Sequence, residues 1–488
     1  MNQMEVMLNW FVWTSSLGFA LYSFISDSKY LIELIDAKDV TKGWLLDGPQ
    51  DVSDYEWNAI RHTFRQHFIH IIIYLVLTQL FIKYKIKMEV MLNWFVWTSS
   101  LGFALYSFIS DSKYLIELID AKDVTKGWLL DGPQDVDKQK CNISQVLGKQ
   151  RYFRRLELNE TQLFLFEVCM AWLNAKCLSL SIDRIRSQIH RTFYFTQLIQ
   201  CVAYCLYLPA FFTGPIHQYN TFISDMNTLE WKWTSNRVME VMKQLLRFTF
   251  WSFVFELMLH LVFSQSIQFY PELTQMLSVW SLCGLGFALP LMFFVKYFII
   301  YGSVATIAAI DGFRMPVPPK CISRIHSCVY LWRTFDRGLH LWLTNYFYKP
   351  IIGTQWNPMR KVFAGFVCFL CICLWHGMDR AVVVWTSLNF FGVSAEIIAK
   401  SIHSSNHWSF VTSNLSSEGN TRLNALIACP FFAIAYASNI FFLSNWDVGY
   451  YFVKTLLLSF PTPLLPTLLV MYFGCHVSIH CMRSETTT

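Results

Sequence analysis

The sequence predicts an all-α, polytopic membrane protein, and three observations predict it. Of its 488 residues 54% are hydrophobic, 17% aromatic and only 15% charged, and the mean hydropathy is +0.35, which is too apolar for an ordinary soluble protein. About ten apolar stretches approach the roughly 20 residues that a helix needs to cross a bilayer. None shows the alternating pattern of a barrel strand, so helices are the expected spanning form.

The charge and the cysteine content also limit which kinds of partner are expected. The formal charge of +6 is small for this length and gives no nucleic-acid signal. The one C-x-x-C pair, Cys368 and Cys371, lies inside an apolar run and has no second pair to complete a zinc site, so no metal site is predicted. The composition therefore predicts contact with membrane lipid and no nucleic-acid partner.

An unchanged internal repeat stands near the start of the chain. Residues 4–52 recur without a substitution as residues 88–136. Repeat architectures normally drift as each copy adapts to its neighbours. The second copy is therefore interpreted as a mis-assembled coding sequence, with a very recent tandem duplication as the alternative. If it exists, its apolar run at 92–110 reverses the membrane side of everything that follows.

The apolar runs predict the following membrane segments, in chain order. Residues 8–26 form a retained signal anchor, and an acidic loop leads to the second segment at 68–82. Gly214-Pro215 predicts a bend or re-entrant turn, and three prolines break the first half of the last segment. The remaining predicted segments are 163–182, 192–212, 245–264, 276–303, 362–377, 381–399, 423–443 and 455–477.

The stretch 332–377 carries the chemistry, inside a predicted catalytic core at 330–400. It places Asp336, His340 and His376 at the ends of apolar runs, where ionisable groups are costly and indicate function. If residues 330–348 form one helix, Asp336 and His340 lie on one face. His376 is the candidate general base and Asp336 its partner. The alternatives are structural: hydrogen-bonded histidines, and an ion pair of Asp336 with a neighbouring arginine.

The motifs WRTFDRGLH at 332–340 and LWHG at 374–377 resemble the membrane-bound O-acyltransferase family. An Asp in place of the family's commoner Asn resembles the branch that acylates secreted hedgehog-type signalling proteins. DVSDYEWNAI, WSFVFELMLHL, FFVKYFIIYG and TSLNFFGVSAE extend this resemblance over most of the chain except the second copy. It implies a single membrane domain over 1–488, with about 10–12 transmembrane helices and re-entrant segments around a buried catalytic site.

The resemblance implies a function. His376 matches the family's catalytic histidine and Asp336 its second catalytic residue. The implied enzyme is a protein-cysteine N-palmitoyltransferase of the endoplasmic reticulum membrane. It moves palmitate from palmitoyl-CoA to the N-terminal cysteine amine of a secreted hedgehog-type protein. Candidate substrate-binding residues are Trp332, Arg333, His340 and Trp375.

One cofactor and several alternatives stay open. Cys321 occupies the place of a haem-ligating cysteine in the resembling branch, although a palmitoylated or interfacial thiol explains it equally well. Another acyltransferase branch would acylate a hydroxyl of a peptide or lipid, and a non-catalytic relative would only bind. A transporter would more often show matching halves with paired broken helices.

Overall fold

The computed structural model describes residues 3–83, 160–187, 195–211, 213–228, 233–322, 326–353, 357–403 and 412–487. Within them the chain is almost wholly helical, which confirms the predicted all-α membrane fold. The second copy of the repeat, 88–136, lies outside the described residues. Five of the described helices are long and apolar enough to cross a membrane, as expected of a multi-pass membrane protein.

The described helices have the following bounds. In the first half of the chain they are α1 Gln3–Leu31, α2 Tyr55–Lys83, α3 Glu160–Arg186, α4 Phe195–Cys205, α5 Tyr219–Asn227, α6 Ser235–Leu259, α7 Ser264–Ile267 and α8 Pro271–Met276. In the second half they are α9 Val279–Asp311, α10 Cys328–Thr334, α11 Arg337–Leu343, α12 Lys349–Ile352, α13 Pro358–Trp375, α14 Arg380–His403, α15 Ser417–Leu443, α16 Trp446–Leu456 and α17 Leu464–Thr487. The five candidate spans lie in α9, α13, α14, α15 and α17.

A small antiparallel hairpin follows α1. Strand β1, Val40–Lys42, pairs with β2, Pro49–Asp51. Its polar groups are satisfied by distant residues: Glu256 Oε2 accepts from the Trp44 indole and the Gln50 amide, each at 2.9 Å. The predicted acidic loop is therefore an ordered hairpin, tied to the end of α6.

The described chain divides into two compact units. Unit 1 comprises Met1–Asp54, Trp251–Phe298 and Pro319–Thr488, and unit 2 comprises Tyr55–Phe250 and Ile299–Pro318. The prediction of one domain over 1–488 stays a prediction.

Unit 1 has a closely packed helical core. Phe24 of α1, Leu285 of α9 and Phe452 of α16 are each no more than 1% exposed. Gly284 lets α1 approach α9, because a Cβ there would collide with the carbonyl oxygen of Ala20. This core supports the helices that carry the candidate site.

Unit 2 packs around buried tyrosines. Asp311, near the end of α9, accepts hydrogen bonds from the hydroxyls of Tyr74 and Tyr207 at 2.9 and 3.1 Å. Asp225 at the end of α5 accepts from the Arg314 guanidinium at 2.7 Å. Buried carboxylates in this unit are thus hydrogen-bonded, as the cost of burying a bare charge requires.

Candidate active site

His376 lies just beyond α13, where a left-handed turn ends the helix. Its N–H still donates to the carbonyl oxygen of Ile372 at 3.0 Å. Gly377 then has a φ of +98° and Met378 a φ of +61°. Glycine adopts a positive φ at little energetic cost. The backbone conformation of this turn therefore explains the glycine of the W-H-G motif. The turn leaves the imidazole at the end of a candidate span.

Two aromatic rings fix the orientation of the His376 imidazole. Its centroid lies 5.3 Å from Trp385 and 5.2 Å from Phe442, with interplanar angles of 85° and 83°. Trp385 and Phe442 stack on each other at 4.0 Å. The Nδ1 atom of His376 is buried and has no hydrogen-bond partner within the described residues. Ring packing therefore holds the imidazole without a hydrogen bond at Nδ1.

The charge state of His376 suits a proton acceptor. Burial lowers its pKa to about 4, and the carboxylate of Asp379 opposes that shift. The imidazole is therefore neutral at neutral pH and can accept a proton. Asp379 also caps α14, because its Oδ1 accepts the N–H of Val382 at 2.7 Å. Asp379 was not among the predicted site residues, since a carboxylate before a helix is an ordinary capping residue.

The condition that residues 330–348 form one helix is not met. The chain bends at 335–336 between α10 and α11, and a π-helical stretch covers Thr344–Tyr348. The reason is Asp336 itself, which is the N-cap of α11 and accepts the N–H of Leu339 at 2.9 Å. A capping Asp satisfies a helix-end donor, so Asp336 begins a helix instead of lying inside one.

Trp332 packs against the ring that contacts His376. Its centroid lies 5.8 Å from Trp385 and 5.0 Å from Phe369. Its indole N–H donates to Asn389 Oδ1 at 2.9 Å. Asn389 is 1% exposed, and its own amide donates to the Trp385 carbonyl at 2.8 Å. Asn389, which the sequence analysis did not single out, thus couples Trp332 to Trp385.

Phe293 of α9 connects the segment that carries Asp336 with the surroundings of His376. It stacks on Phe335, which directly precedes Asp336, at 5.3 Å and 9°. It also meets Phe442 edge to face at 5.7 Å. Five rings that these contacts join are called the ring cluster below; they are Phe293, Trp332, Phe335, Trp385 and Phe442. The His376 ring and the residue directly before Asp336 therefore contact one connected set of rings.

The other predicted substrate-binding residues lie nearer the surface. Arg333 is exposed and Trp375 is 38% exposed. His340 is half-buried, and burial together with the charges of Arg333 and Arg337 lowers its pKa. Arg333 is available to an anionic group, whereas His340 lies in a cationic environment that keeps it neutral.

An apolar cavity of about 480 Å³ opens within unit 1, between α1, α9, α15 and the start of α17. Its wall includes Pro290, Leu331 and Asn439, which lie one to three positions before Phe293, Trp332 and Phe442 of the ring cluster. This volume falls within the roughly 300–1,000 Å³ of small-molecule pockets. Asn439 is half-buried and supplies a polar group to this wall. No sequence motif pointed to it.

Haem ligation by Cys321 is not supported by the described part of this fold. Its side chain is half-buried on the irregular stretch before α10. The cavity nearby is lined by its neighbour Ile322 and not by Cys321. A haem iron needs its thiolate to face the space that holds the macrocycle. This cavity therefore gives no support for haem at Cys321.

Comparison with known proteins places the site in a family context. Residues 150–438, which include Asp336 and His376, match the family model of the membrane-bound O-acyltransferases. The chain is 30% identical over 287 residues to protein-cysteine N-palmitoyltransferase HHAT of Mus musculus, covering 58% of each chain.

Of two further relatives, one has the same named activity as the mouse protein and the other is named an O-acyltransferase. Protein-cysteine N-palmitoyltransferase Rasp of Drosophila melanogaster is 28% identical over 302 residues, or 61% of this chain and 59% of that protein. Membrane-bound O-acyltransferase GUP1 of Saccharomyces cerevisiae is 23% identical over 213 residues, or 42% of this chain and 36% of that protein. The matches thus span less than two thirds of the length of these relatives.

Proposed function

The chain belongs to the membrane-bound O-acyltransferase family, and from that premise we propose that it is a protein-cysteine N-palmitoyltransferase. It transfers palmitate from palmitoyl-CoA to the α-amine of the N-terminal cysteine of a secreted hedgehog-type protein, at the endoplasmic reticulum membrane. The observation that carries the proposal is the half-buried His376 imidazole, which Trp385 and Phe442 orient at the end of a candidate span. The names of the HHAT and Rasp relatives support the acyl group and the cysteine acceptor.

The reaction needs positioning and proton transfer more than activation, because a thioester is already reactive. The cavity takes the acyl chain and brings the thioester carbonyl close to the amine. The amine nitrogen bonds to the carbonyl carbon and the carbon–sulfur bond breaks. His376 accepts the proton that the nitrogen loses and returns it to the coenzyme A thiolate, so the histidine ends unchanged.

Other residues act on the charges that develop. Asp336 orients the peptide amine, or it balances the positive charge that His376 gains when it accepts the proton. The amide of Asn439 on the cavity wall is a hydrogen-bond donor for the carbonyl oxygen, which becomes an oxyanion in the tetrahedral intermediate. The exposed Arg333 is a contact for the phosphates of coenzyme A. No step uses haem.

A second candidate has one supporting observation, the similarity to an O-acyltransferase of Saccharomyces cerevisiae. In that case a hydroxyl of a peptide or lipid replaces the amine as acceptor. The same base and cavity serve both reactions, since only the nucleophile differs. The acceptor therefore has to be decided by experiment.

The test measures transfer of labelled palmitate from palmitoyl-CoA to a synthetic peptide with an N-terminal cysteine. Membranes contain the full chain or a variant lacking residues 88–136. We expect a product that survives hydroxylamine, as an amide does, and no product from the N-acetylated peptide. His376→Ala should abolish transfer, whereas His62→Ala, at an exposed histidine of α2, should not.

The other outcomes are equally informative. Transfer that needs a serine hydroxyl in place of the amine would favour the second candidate. Unchanged transfer by His376→Ala would remove this residue from the mechanism. Activity confined to the variant without 88–136 would identify the second copy as an artefact of the coding sequence.

A further inference from the structure

A buried ion pair lies inside unit 1, next to the ring cluster. Lys296 Nζ lies 3.0 Å from Asp54 Oδ1, and the side chains are only 9% and 6% exposed. Lys296 is in the interior of α9, the longest candidate span. Charges at such a place are costly to desolvate. The pair therefore requires an explanation beyond packing.

The Lys296 ammonium lies over two rings of its own helix. Its Nζ is 5.8 Å from the centroid of Phe293 and 5.6 Å from that of Tyr297. These two rings are themselves 4.6 Å apart. A cation at this distance from an aromatic face attracts the ring, and more strongly where water is excluded. The ion pair with Asp54 thus fixes a charge that holds Phe293 in place.

Asp54 is anchored on its own side by the hairpin. The adjacent Ser53 hydroxyl donates to Asp51 Oδ1 at 2.6 Å and lies 2.7 Å from the Ser266 hydroxyl. The Ser266 N–H donates to the other Asp51 oxygen at 2.9 Å. The backbone before α2 is therefore well determined, and Asp54 presents its carboxylate from a fixed position.

Phe293 is the ring that the two sides of the candidate site share. It contacts Phe335, directly before Asp336, and it also contacts Phe442, which packs on His376 at 5.2 Å. A displacement of Phe293 would therefore disturb both candidate catalytic residues at once.

We infer that the Lys296–Asp54 ion pair is a positioning device for the catalytic residues, because it fixes Phe293 between the Asp336 segment and the ring that packs on His376. The inference deepens the proposed function and rests on it. Stability alone does not account for the pair, since a buried ion pair is often no better than well-packed apolar residues of similar volume.

The test separates positioning from folding with four variants. Lys296→Met and Asp54→Asn each remove one partner of the buried ion pair, so both should lose thermal stability and activity. The double variant Lys296→Met/Asp54→Asn removes both charges of the pair. We expect it to regain thermal stability while kcat stays about tenfold or more below wild type, because small misplacements of reacting groups are costly. Lys296→Arg keeps the cation and should retain most of kcat.

A matched control removes another ion pair of unit 1. Arg422 Nε lies 2.8 Å from Glu5 Oε1, away from the ring cluster, and Glu5→Gln/Arg422→Gln should leave kcat within about twofold. In the Lys296 variants the KM for palmitoyl-CoA should also stay within about twofold, since the cavity wall is intact. A double variant that regains kcat together with stability would overturn the inference.

A readout without turnover keeps this test independent of the proposed function. Mass spectrometry follows the rate at which diethyl pyrocarbonate modifies His376 in detergent. Loss of the ion pair should raise this rate in the stable double variant but not in the Glu5/Arg422 control. An unchanged rate would contradict the positioning role even if the wild type transfers palmitate. A wild type without transfer but with a raised rate in the double variant would sink the proposed function and leave the positioning role standing.

Discussion

The imidazole of His376 meets the indole of Trp385 edge to face, with centroids 5.3 Å apart and planes at 85°. This contact matters because Trp385 also packs on Phe442 and lies 5.8 Å from Trp332. The candidate base is thus oriented by aromatic packing, while its Nδ1 makes no hydrogen bond to the described residues. Packing of this kind preorganises a group without consuming its ability to accept a proton.

Substitutions at Asp336 should distinguish a catalytic role from a capping role. Asn caps a helix about as well as Asp, whereas Ala costs about 1 kcal/mol at an N-cap. If Asp336 manages charge in the reaction, Asp336→Asn should lower kcat about 100-fold with little change in thermal stability or in KM for palmitoyl-CoA. Asp336→Ala should lose both activity and stability. Full activity in the stable Asn variant would reduce Asp336 to a cap.

The pH dependence of kcat/KM should follow the peptide amine and not an ordinary histidine. Burial lowers the pKa of His376 to about 4, so its neutral, proton-accepting form is present throughout the range above that value. An α-amine attacks only when deprotonated, and its pKa is about 7.7–8.0. From pH 5.5 to 9 we expect kcat/KM to rise with one inflection near 8. An inflection near 6.5 that persists when the peptide is changed would show that His376 titrates as it does in water.

The helices and the site differ in how far they could be predicted. The apolar run at 362–377 located α13 and left His376 at its end, because hydropathy and a following glycine are local signals. The bend at Asp336 was missed, because a capping aspartate and an in-helix aspartate look alike in a short window. The contacts of Phe293 with Phe335 and Phe442 join separate helices. The sequence has 43 phenylalanines, and only tertiary packing determines which of them contact one another.

The hairpin after α1 likewise has long-range polar contacts that could not be predicted from the sequence. Its composition predicted a mixed, acidic loop. Yet Trp44 and Gln50 donate to Glu256, more than 200 positions further on. Such a partner has no local signature, so the burial of these polar groups could not be anticipated.

Asp51 of this hairpin should make stability depend on pH. Burial raises the pKa of its carboxyl from 3.8 to about 6, although Ser53 and Ser266 donate to it. The folded state therefore holds the proton more tightly than the unfolded chain. Its contribution to stability is present below pH 4, declines as pH rises towards 6 and is absent above that, with a full span of about 3 kcal/mol.

The comparison of Asp51→Asn with wild type isolates this effect from other carboxylates. Thermal unfolding in detergent between pH 4 and 7.5 should show wild type losing stability relative to Asp51→Asn as pH rises. Asp47→Asn, at an exposed carboxylate of the same hairpin, should instead run parallel to wild type. Parallel curves for Asp51→Asn would mean that this carboxyl titrates normally in the folded protein.

Filling the cavity of unit 1 should shorten the preferred acyl chain. Ala435 lines the cavity and is 6% exposed, so Ala435→Leu places three more carbons where a chain end would lie. Each buried methylene is worth about 0.8 kcal/mol. Displacing two methylenes of palmitate should therefore lower kcat/KM for palmitoyl-CoA about tenfold relative to myristoyl-CoA. Ile427→Phe, on an exposed face of the same helix, should leave the ratio unchanged. An unaltered ratio in Ala435→Leu would place the acyl chain elsewhere.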